Sequence, residues 1–166
     1  METQISTSSS AEILRLDLDG LFAYQRNRPP FLMMDCAEEV IPGVNARGHK
    51  LMSPDLWFFA CHFPGDPTVP GVLQLEAIVQ LCALTILTLP GNKGKVAYLT
   101  HTSRVRFKRK VLPGERLDLE ARLLSWKRGI GSCSGKALVG GQIACEAEFG
   151  LALPDELTRY QISAVK

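Results

Sequence analysis

The sequence predicts an α+β domain in which a curved antiparallel sheet encloses one long central helix. The first observation is the segment Val69–Leu89, whose 21 residues carry a single charge, at Glu76, as expected for a helix that is buried on all sides. The second is a series of later segments in which apolar and polar residues alternate, which is typical of half-buried strands. Because such a helix must be covered, and a sheet with one apolar face can cover it, both observations indicate one shared core.

The predicted strands follow from this alternation and from the turns between them. Turn signals stand at Pro42-Gly43, Pro113-Gly114 and Gly140-Gly141, and the last is typical of a two-residue hairpin. Residues Ala11–Tyr24 are predicted to form a short helix that leads into the domain. The residues predicted to face inward from one later strand are Leu117, Leu119, Ala121 and Leu123. Val105 and Phe107 are predicted to share one face of an earlier strand, and Ile143, Cys145, Ala147 and Phe149 to share one face of the last strand.

The composition limits the class of protein and its compartment. The chain has 166 residues, of which 46% are hydrophobic, so we expect one domain over residues 11–166 after a disordered polar tail at 1–10. That tail lacks the pattern of a secretory signal. A net charge of +2 argues against nucleic acid as a partner. The five cysteines include no CxxC pair, which predicts neither disulfides nor a metal site and favours the reducing cytoplasm.

The apolar segment Val69–Leu89 is close to the length of a membrane span. It begins Val-Pro-Gly, however, and carries Gln74, Glu76 and Gln80 close together. A glutamate in that position is costly in lipid. We therefore predict a buried helix of a globular domain and no insertion into a membrane.

The start of the predicted helix carries the candidate chemistry. We expect the helix to begin at Pro70 or Gly71, because proline is tolerated in a first turn. The first backbone N–H groups of a helix have no intrahelical acceptor, so they can hold a developing oxyanion, and glycine lets a carbonyl approach closely. His62 just before this point and Glu76 within the helix are common general acid–base residues, and burial would raise the pKa of Glu76.

Each of these residues also has a simpler structural explanation. Glu76 could be a buried carboxylate that is satisfied by Gln80 one turn later. His62 could be a loop histidine that is bonded to backbone, and Gly71 could serve a turn. The combination of all three next to a helix start favours a functional site.

The stretch SPDLWFFACHFPGDPTVPGVLQLEAIVQL resembles the active-site block of the bacterial 3-hydroxyacyl-acyl-carrier-protein dehydratases, a hotdog-fold family. The shared pattern is His-Phe-x-Gly-Asp/His-Pro-x-x-Pro-Gly followed by Asp/Glu-Ala. The resemblance runs from about Phe31 to Leu151 and includes FLMMD, RFKRKVLPGERL and RGIGSCSGKALVGGQIACEAEF. It implies a hotdog fold that dimerises.

The resemblance also implies a mechanism and its residues. His62 would remove the proton at C2 of a 3-hydroxyacyl thioester, the Gly71 N–H would hold the thioester carbonyl, and Glu76 would help the C3 hydroxyl leave as water. We assign oxyanion or substrate binding to Gly71, Val72, Phe63 and Gln80. No metal or other cofactor is implied, because the substrate is carried on the phosphopantetheine arm of an acyl carrier protein. His62 of one subunit would face Glu76 of the other, in a homodimer or in a higher assembly of dimers.

A basic run after the helix offers a site for that carrier protein. It comprises Arg104, Arg106, Lys108, Arg109 and Lys110, five cations in seven positions without an acid. Such a run is often only a solvated strand face. Given the resemblance, we predict that it docks an acidic carrier protein through charge steering.

Two branches of the family are combined in this chain. PDLWFFACHF and GDP resemble the hydroxydecanoyl-type dehydratase/isomerase, whereas Glu76 in place of aspartate, RFKRKVLPGERL and RGIG resemble the general dehydratase. Thr68-Val69 replaces the bulkier apolar pair of the isomerising branch. We therefore expect dehydration, in fatty acid or polyketide/polyene biosynthesis, with little or no isomerisation. The alternative is a bifunctional enzyme that also forms the cis-3-enoyl product.

Three further functions share part of the pattern. A hotdog acyl thioesterase would use a carboxylate on the central helix but would not need His62. A non-catalytic subunit of a dehydratase heterodimer is expected to lack the histidine or the acid, and this chain has both. A carrier of a small ligand would share the cavity but would have no use for the pair of His62 and Glu76.

Overall fold

The alternating segments form one antiparallel sheet of seven strands in the computed structural model, which describes residues 12–157. Leu117, Leu119, Ala121 and Leu123 are all buried, as predicted for one face of a strand. The order across the sheet is β1-β2-β3-β5-β6-β7-β4. The strands are β1 (Leu14–Leu16), β2 (Cys36–Ile41), β3 (Asn45–Leu51), β4 (Tyr98–Phe107), β5 (Arg116–Lys127), β6 (Ile130–Val139) and β7 (Gln142–Ala152).

Two of the predicted turns join consecutive strands as hairpins. β2 and β3 form a hairpin across Pro42-Gly43, and β6 and β7 form one across Gly140-Gly141. Gly140 and Gly141 have φ of 55° and 78°, and two positive φ values are what a two-residue hairpin turn requires. The antiparallel prediction and these turn positions are therefore confirmed.

The central helix α2 spans Gly71–Leu87 with Pro70 as its N-cap, so the predicted start is confirmed. From Ala77 to Leu87 each of its residues is buried. The sheet approaches the helix closely at two glycines. A Cβ at Gly48 would lie 3.3 Å from Leu81 Cδ1, and a Cβ at Gly135 would overlap Ile78 Cγ2. These glycines let the sheet cover the helix on several sides, which gives the α+β core expected from the sequence.

The N-terminal segment differs from its prediction as one short helix. Leu14–Leu16 is strand β1, and only Leu18–Tyr24 is helix α1. The apolar residues Leu14 and Leu16 alternate and pair with β2, which satisfies backbone groups that a helix would have satisfied internally. Asp17 then starts the helix, because its side chain accepts a 3.0 Å hydrogen bond from Gly20 N. The tail predicted at residues 1–10 lies outside the described residues.

Strand β4 forms one edge of the sheet and pairs only with β7 among the described strands. Nine of its ten residues are exposed, and only Val105 is partly buried. A bulge interrupts the pairing between Ser103 and Arg106, and Arg104 in this bulge has a φ of 50°. The strand therefore presents a long row of accessible backbone groups. Within residues 12–157, no helix is long and apolar enough to cross a membrane.

Candidate active site

His62 lies in the loop between a short 3₁₀ helix at Trp57–Ala60 and the start of α2. Its Nδ1 is 3.0 Å from the carbonyl oxygen of Thr68. A carbonyl can only accept a hydrogen bond, so Nδ1 carries the proton and Nε2 keeps its lone pair when the ring is neutral. The loop thus presents His62 in the tautomer that a general base requires.

The Thr68 carbonyl is itself held in place by the segment after β4. Thr68 is buried, its hydroxyl donates to Val111 O at 3.2 Å, and Val69 N donates to the same oxygen at 2.8 Å. The Thr68 N–H in turn donates to His62 O at 2.9 Å. Three hydrogen bonds therefore fix the ring acceptor and the loop as one unit. From the sequence, Thr68 was noted only as part of a pair that replaces bulkier apolar residues, and its contact with His62 was not predicted.

Phe63 lies against the imidazole ring and is half exposed. The two ring centroids are 4.0 Å apart with the planes inclined by 29°. This stacking limits how far the His62 ring can rotate about its hydrogen bond to Thr68. The contact places Phe63 beside the imidazole ring.

The start of α2 supplies backbone donors next to this loop. The N–H groups of Gly71 and Val72 have no acceptor within the helix, and they lie at the positive end of its dipole. The Val72 side chain is 69% exposed. A Cβ at Gly71 would lie 2.9 Å from Phe107 Cε1, so the aromatic ring closes one side of this helix start. Because Gly71 has no side chain, there is room beside its backbone for a ligand oxygen.

The Glu76 carboxylate is held by Gln80, which lies one turn further along α2. Gln80 Nε2 donates to Glu76 Oε1 at 2.7 Å and to Phe31 O at 2.9 Å, while its Oε1 accepts from Met33 N at 2.9 Å. The amide is therefore fully used by partners within the chain. We assign Gln80 to positioning Glu76 rather than to contacting substrate, which changes the role predicted for it.

The half-buried position of Glu76 affects its charge. Loss of hydration raises the pKa of the carboxyl above its ordinary value, and the hydrogen bond from Gln80 opposes this rise without cancelling it. A raised pKa keeps a larger share of Glu76 protonated near neutral pH. A protonated carboxyl can give a proton to a leaving group.

The fold brings most of the predicted site residues into two connected groups, but it does not join His62 to Glu76 within one chain. The loop Thr68–Pro70 connects His62 to the helix start, and one helical turn connects Glu76 to Gln80. Within the described part of a single chain, no hydrogen bond links His62 to Glu76. Phe31, Met33 and Phe107 support the site through contacts that sequence reasoning did not foresee.

The basic run is less free than its sequence suggests, because acids from β7, from the turn before β5 and from the loop that holds His62 pair with it. Arg104 pairs with Glu148, Lys108 with Glu146, Arg109 with Glu115 and Lys110 with Asp66, at distances of 2.6 to 3.0 Å. Arg106 lies near Glu146, whose pKa is lowered mainly by its hydrogen bond to Lys108. These acids reduce the net positive charge of the run.

Comparisons with known proteins find relatives that match most of the chain. A family model described as a FabA-like domain matches residues 26–148. The 3-hydroxyacyl-[acyl-carrier-protein] dehydratase FabZ of Roseiflexus castenholzii is 43% identical over 138 residues, which cover 83% of this chain and 96% of that protein. The FabZ of Chloroflexus aggregans is 44% identical over 140 residues, which cover 84% and 97%.

A solved structure supports the fold at a lower level of identity. A chain of the dehydratase heterocomplex ApeI:P from Xenorhabdus doucetiae superposes with a TM-score of 0.68 at 17% identity, over 84% of this chain and 95% of that chain. At this identity the likeness concerns the fold. Together with the family match it confirms the hotdog fold that the resemblance implies.

Proposed function

This chain belongs to the family of FabA-like domains, and we propose that it dehydrates 3-hydroxyacyl-acyl-carrier-protein to the trans-2-enoyl thioester in fatty acid biosynthesis. The FabZ relatives are named for this activity, and they are 42–44% identical to this chain over most of its length. The proposal depends mainly on the hydrogen bond from His62 Nδ1 to the Thr68 carbonyl, because this bond leaves Nε2 free to act as a base. The reaction removes one water, taking hydrogen from C2 and hydroxyl from C3.

His62 accepts the C2 proton in this proposal. The thioester carbonyl acidifies that proton because the negative charge that develops at C2 is delocalised onto the carbonyl oxygen. The N–H groups at Gly71 and Val72 point from a helix start and stabilise this oxyanion. Stacked Phe63 and the Thr68 carbonyl hold the imidazole so that Nε2 faces the substrate.

Glu76 provides the proton for the leaving group. Its raised pKa favours the protonated form, which donates to the C3 hydroxyl as the bond from C3 to oxygen breaks and water departs. The electron pair from the C2–H bond forms the double bond. At the end His62 holds one proton and Glu76 has lost one, so a proton returned from His62 to Glu76, directly or through water, restores the starting state.

We propose that each complete site uses two copies of the chain. The exposed edge of β4 can pair with the same strand of a second copy, and this pairing would cover Tyr98, Leu99 and Phe107, all exposed in one chain. Phe107 also contacts the helix start at Gly71. Such pairing would bring the second copy close to the first site and allow His62 of one subunit to face Glu76 of the other.

The carrier protein is proposed to approach over the basic run. Arg106 and Lys108 stand on or next to β4, the strand that bears Phe107 beside the helix start. A phosphopantetheine arm that enters there brings its phosphate near these cations. The acyl thioester itself provides the acid C–H, so the mechanism needs no metal or other cofactor. We propose the cytoplasm as the compartment, since the five cysteines are free thiols.

The proposal is tested with His62→Ala and Glu76→Gln on a 3-hydroxyacyl carrier protein, by mass spectrometry of the product. We expect each change to reduce turnover about 100- to 10,000-fold, the range for a general acid or base, while circular dichroism stays unchanged. Glu39→Gln serves as the matched control, because Glu39 lies on strand β2, outside the site. Near-normal turnover in both site variants would refute the assignment.

A further inference from the structure

Three side chains with metal-binding atoms converge on the outer face of the sheet. They are Cys36 and Glu38 of β2 and His49 of β3. Cys36 stands directly opposite His49 in the antiparallel register. The neighbouring residues Ala37 and Gly48 are buried toward α2, so the three side chains project away from the helix and from Glu76. Cys36 and His49 are 13 residues apart in the sequence and become neighbours through the pairing of β2 with β3. The cluster was therefore not predicted from the sequence.

The three donor atoms lie around one point. His49 Nδ1 is 2.8 Å from Glu38 Oε1 and 3.5 Å from Cys36 Sγ. All three atoms lie within 4.8 Å of one another. All three residues are partly buried, so ligands from water can still reach the cluster.

The geometry does not fit a catalytic thiol triad. In such a triad the carboxylate binds one ring nitrogen and the thiol contacts the other. Here Glu38 and Cys36 both contact Nδ1 of His49. If Nδ1 donates its proton to Glu38, it cannot accept one from the Cys36 thiol. A cation that replaces this proton would satisfy all three groups at once.

We propose that Cys36, Glu38 and His49 bind a zinc-class divalent cation in a site separate from the catalytic residues. Zinc is bound by thiolate sulfur at about 2.3 Å and by imidazole nitrogen at about 2.0–2.1 Å. A tetrahedral ion with these bonds separates sulfur from nitrogen by about 3.6 Å, and the observed separation is 3.5 Å. The oxygen must move outward by about half an ångström, because a hydrogen bond is replaced by two metal bonds. A water molecule would fill the fourth position.

Arg116 competes with this cation for the Glu38 carboxylate. Its NH2 group donates to Glu38 Oε1 at 2.9 Å, and its Nε donates to Asp118 Oδ1 at 2.7 Å. Arg116 can therefore release Glu38 and stay paired with Asp118 when a metal binds. The bound ion would join neighbouring strands β2 and β3, so we expect it to stabilise the folded domain rather than to take part in dehydration.

Cobalt(II) is the probe, because thiolate ligation gives it a charge-transfer absorption that zinc lacks. Titration of the purified full chain, kept reduced with a non-chelating phosphine, should show one saturable site per chain, and zinc should abolish the signal. Cys36→Ser and His49→Gln should each weaken binding by more than the roughly 10- to 100-fold that loss of an outer-sphere partner costs. Cys61→Ser is the matched control, since Cys61 is an exposed thiol outside the cluster.

Thermal unfolding provides a second measurement that does not depend on catalysis. Zinc should raise the unfolding temperature of the natural chain and of Cys61→Ser, but not that of Cys36→Ser or His49→Gln. Unfolding of the variants without metal checks that they fold. The proposal is overturned if folded chain shows no saturable binding, or if cobalt binds Cys36→Ser and His49→Gln as it binds the natural chain, since the network with Arg116 would then be an ion-pair cluster only.

Discussion

The side-chain amide of Gln80 donates a 2.7 Å hydrogen bond to Glu76 Oε1 from one turn further along the central helix. The same amide is held by Phe31 O and Met33 N. Burial raises the pKa of Glu76 and this hydrogen bond lowers it. Gln80 therefore positions the proposed general acid and limits the rise of its pKa that burial causes.

Replacing this amide should change the pH dependence of turnover. Gln80→Met removes the hydrogen bond that favours the charged carboxylate, so the pKa of Glu76 should rise further. A general acid is lost as the pH rises through its pKa, so the alkaline limb of kcat should move to higher pH. Urea unfolding should show a loss of about 1–3 kcal/mol, because Phe31 O and Met33 N lose a buried partner.

Gln74→Met is the control for this change. Gln74 is a buried glutamine on the same helix, and its Oε1 has no hydrogen-bond partner within residues 12–157. We expect its alkaline limb to coincide with that of the natural chain. An equal displacement in both variants would mean that Gln80 acts through general packing of α2.

A methyl group at the helix start should obstruct the thioester oxygen. In Gly71→Ala the added Cβ would lie 2.9 Å from Phe107 Cε1, and it would crowd the approach to the backbone donors. A misplacement of about 1 Å can cost about 100-fold in rate, and we expect kcat to fall by about ten- to 100-fold. Adding Phe107→Leu removes the ring contact. If the double variant regains full kcat, the defect comes from the clash with Phe107 and not from the oxyanion site.

Two inactive variants should complement each other if the site is shared. A mixed dimer of His62→Ala and Glu76→Gln carries one site with both residues intact and one with neither. Random exchange should therefore restore up to about a quarter of the natural activity, since half of the dimers are mixed and each has one working site of two. The measurement is turnover after co-refolding, with exchange followed by mass spectrometry. Exchange without recovery would place both groups of each site in one chain.

Charge reversal in the basic run should weaken the use of carrier-bound substrates. Arg106→Glu with Lys108→Glu should raise KM for the acyl carrier protein, most strongly at low salt, where charge steering is least screened. A short pantetheine thioester should be affected less. Arg15→Glu with Arg26→Glu makes the same charge change on exposed residues of the N-terminal segment. Equal losses on both substrates would indicate a structural role for the run.

The position of the product double bond tests the predicted lack of isomerisation. Formation of a cis-3 bond requires that His62 also reach C4, and thus that the enoyl chain bend beside it. Glu76 is one methylene longer than the aspartate of the isomerising branch, and Thr68 is anchored to Val111 O. We expect trans-2-decenoyl carrier protein in deuterated water to undergo hydration but little conversion to cis-3, as read by NMR. Conversion at rates comparable to hydration would place the chain in the bifunctional branch.

The parts of the fold that depend on local pattern were predictable from the sequence. The glycine pair at Gly140-Gly141 and the inward leucines of β5 identify their elements directly. The start of α2 at Gly71 follows from Pro70, because proline is tolerated at the beginning of a helix and disrupts its interior. The pair of Glu76 and Gln80 was also accessible, because residues four apart share one face of a helix.

The parts that depend on contacts between distant segments were not predictable in this way. Two of the acids that pair with the basic run, Glu146 and Glu148, come from β7 and reach it through strand pairing. The acceptor for His62 is a backbone carbonyl, and its position depends on Val111 far along the chain. The strand at Leu14–Leu16 was missed because its partner β2 decides its conformation.

The position of α2 in the chain has a consequence during synthesis on the ribosome. The helix ends at Leu87, but β5, β6 and β7, which cover it, are complete only at Ala152, which is 65 residues later by subtraction of these positions. At about 5–20 residues per second this delay lasts roughly 3 to 13 seconds. Throughout that interval the apolar helix surface that β5, β6 and β7 cover in the folded domain lacks that cover, so nascent chains should be clients of ribosome-associated chaperones.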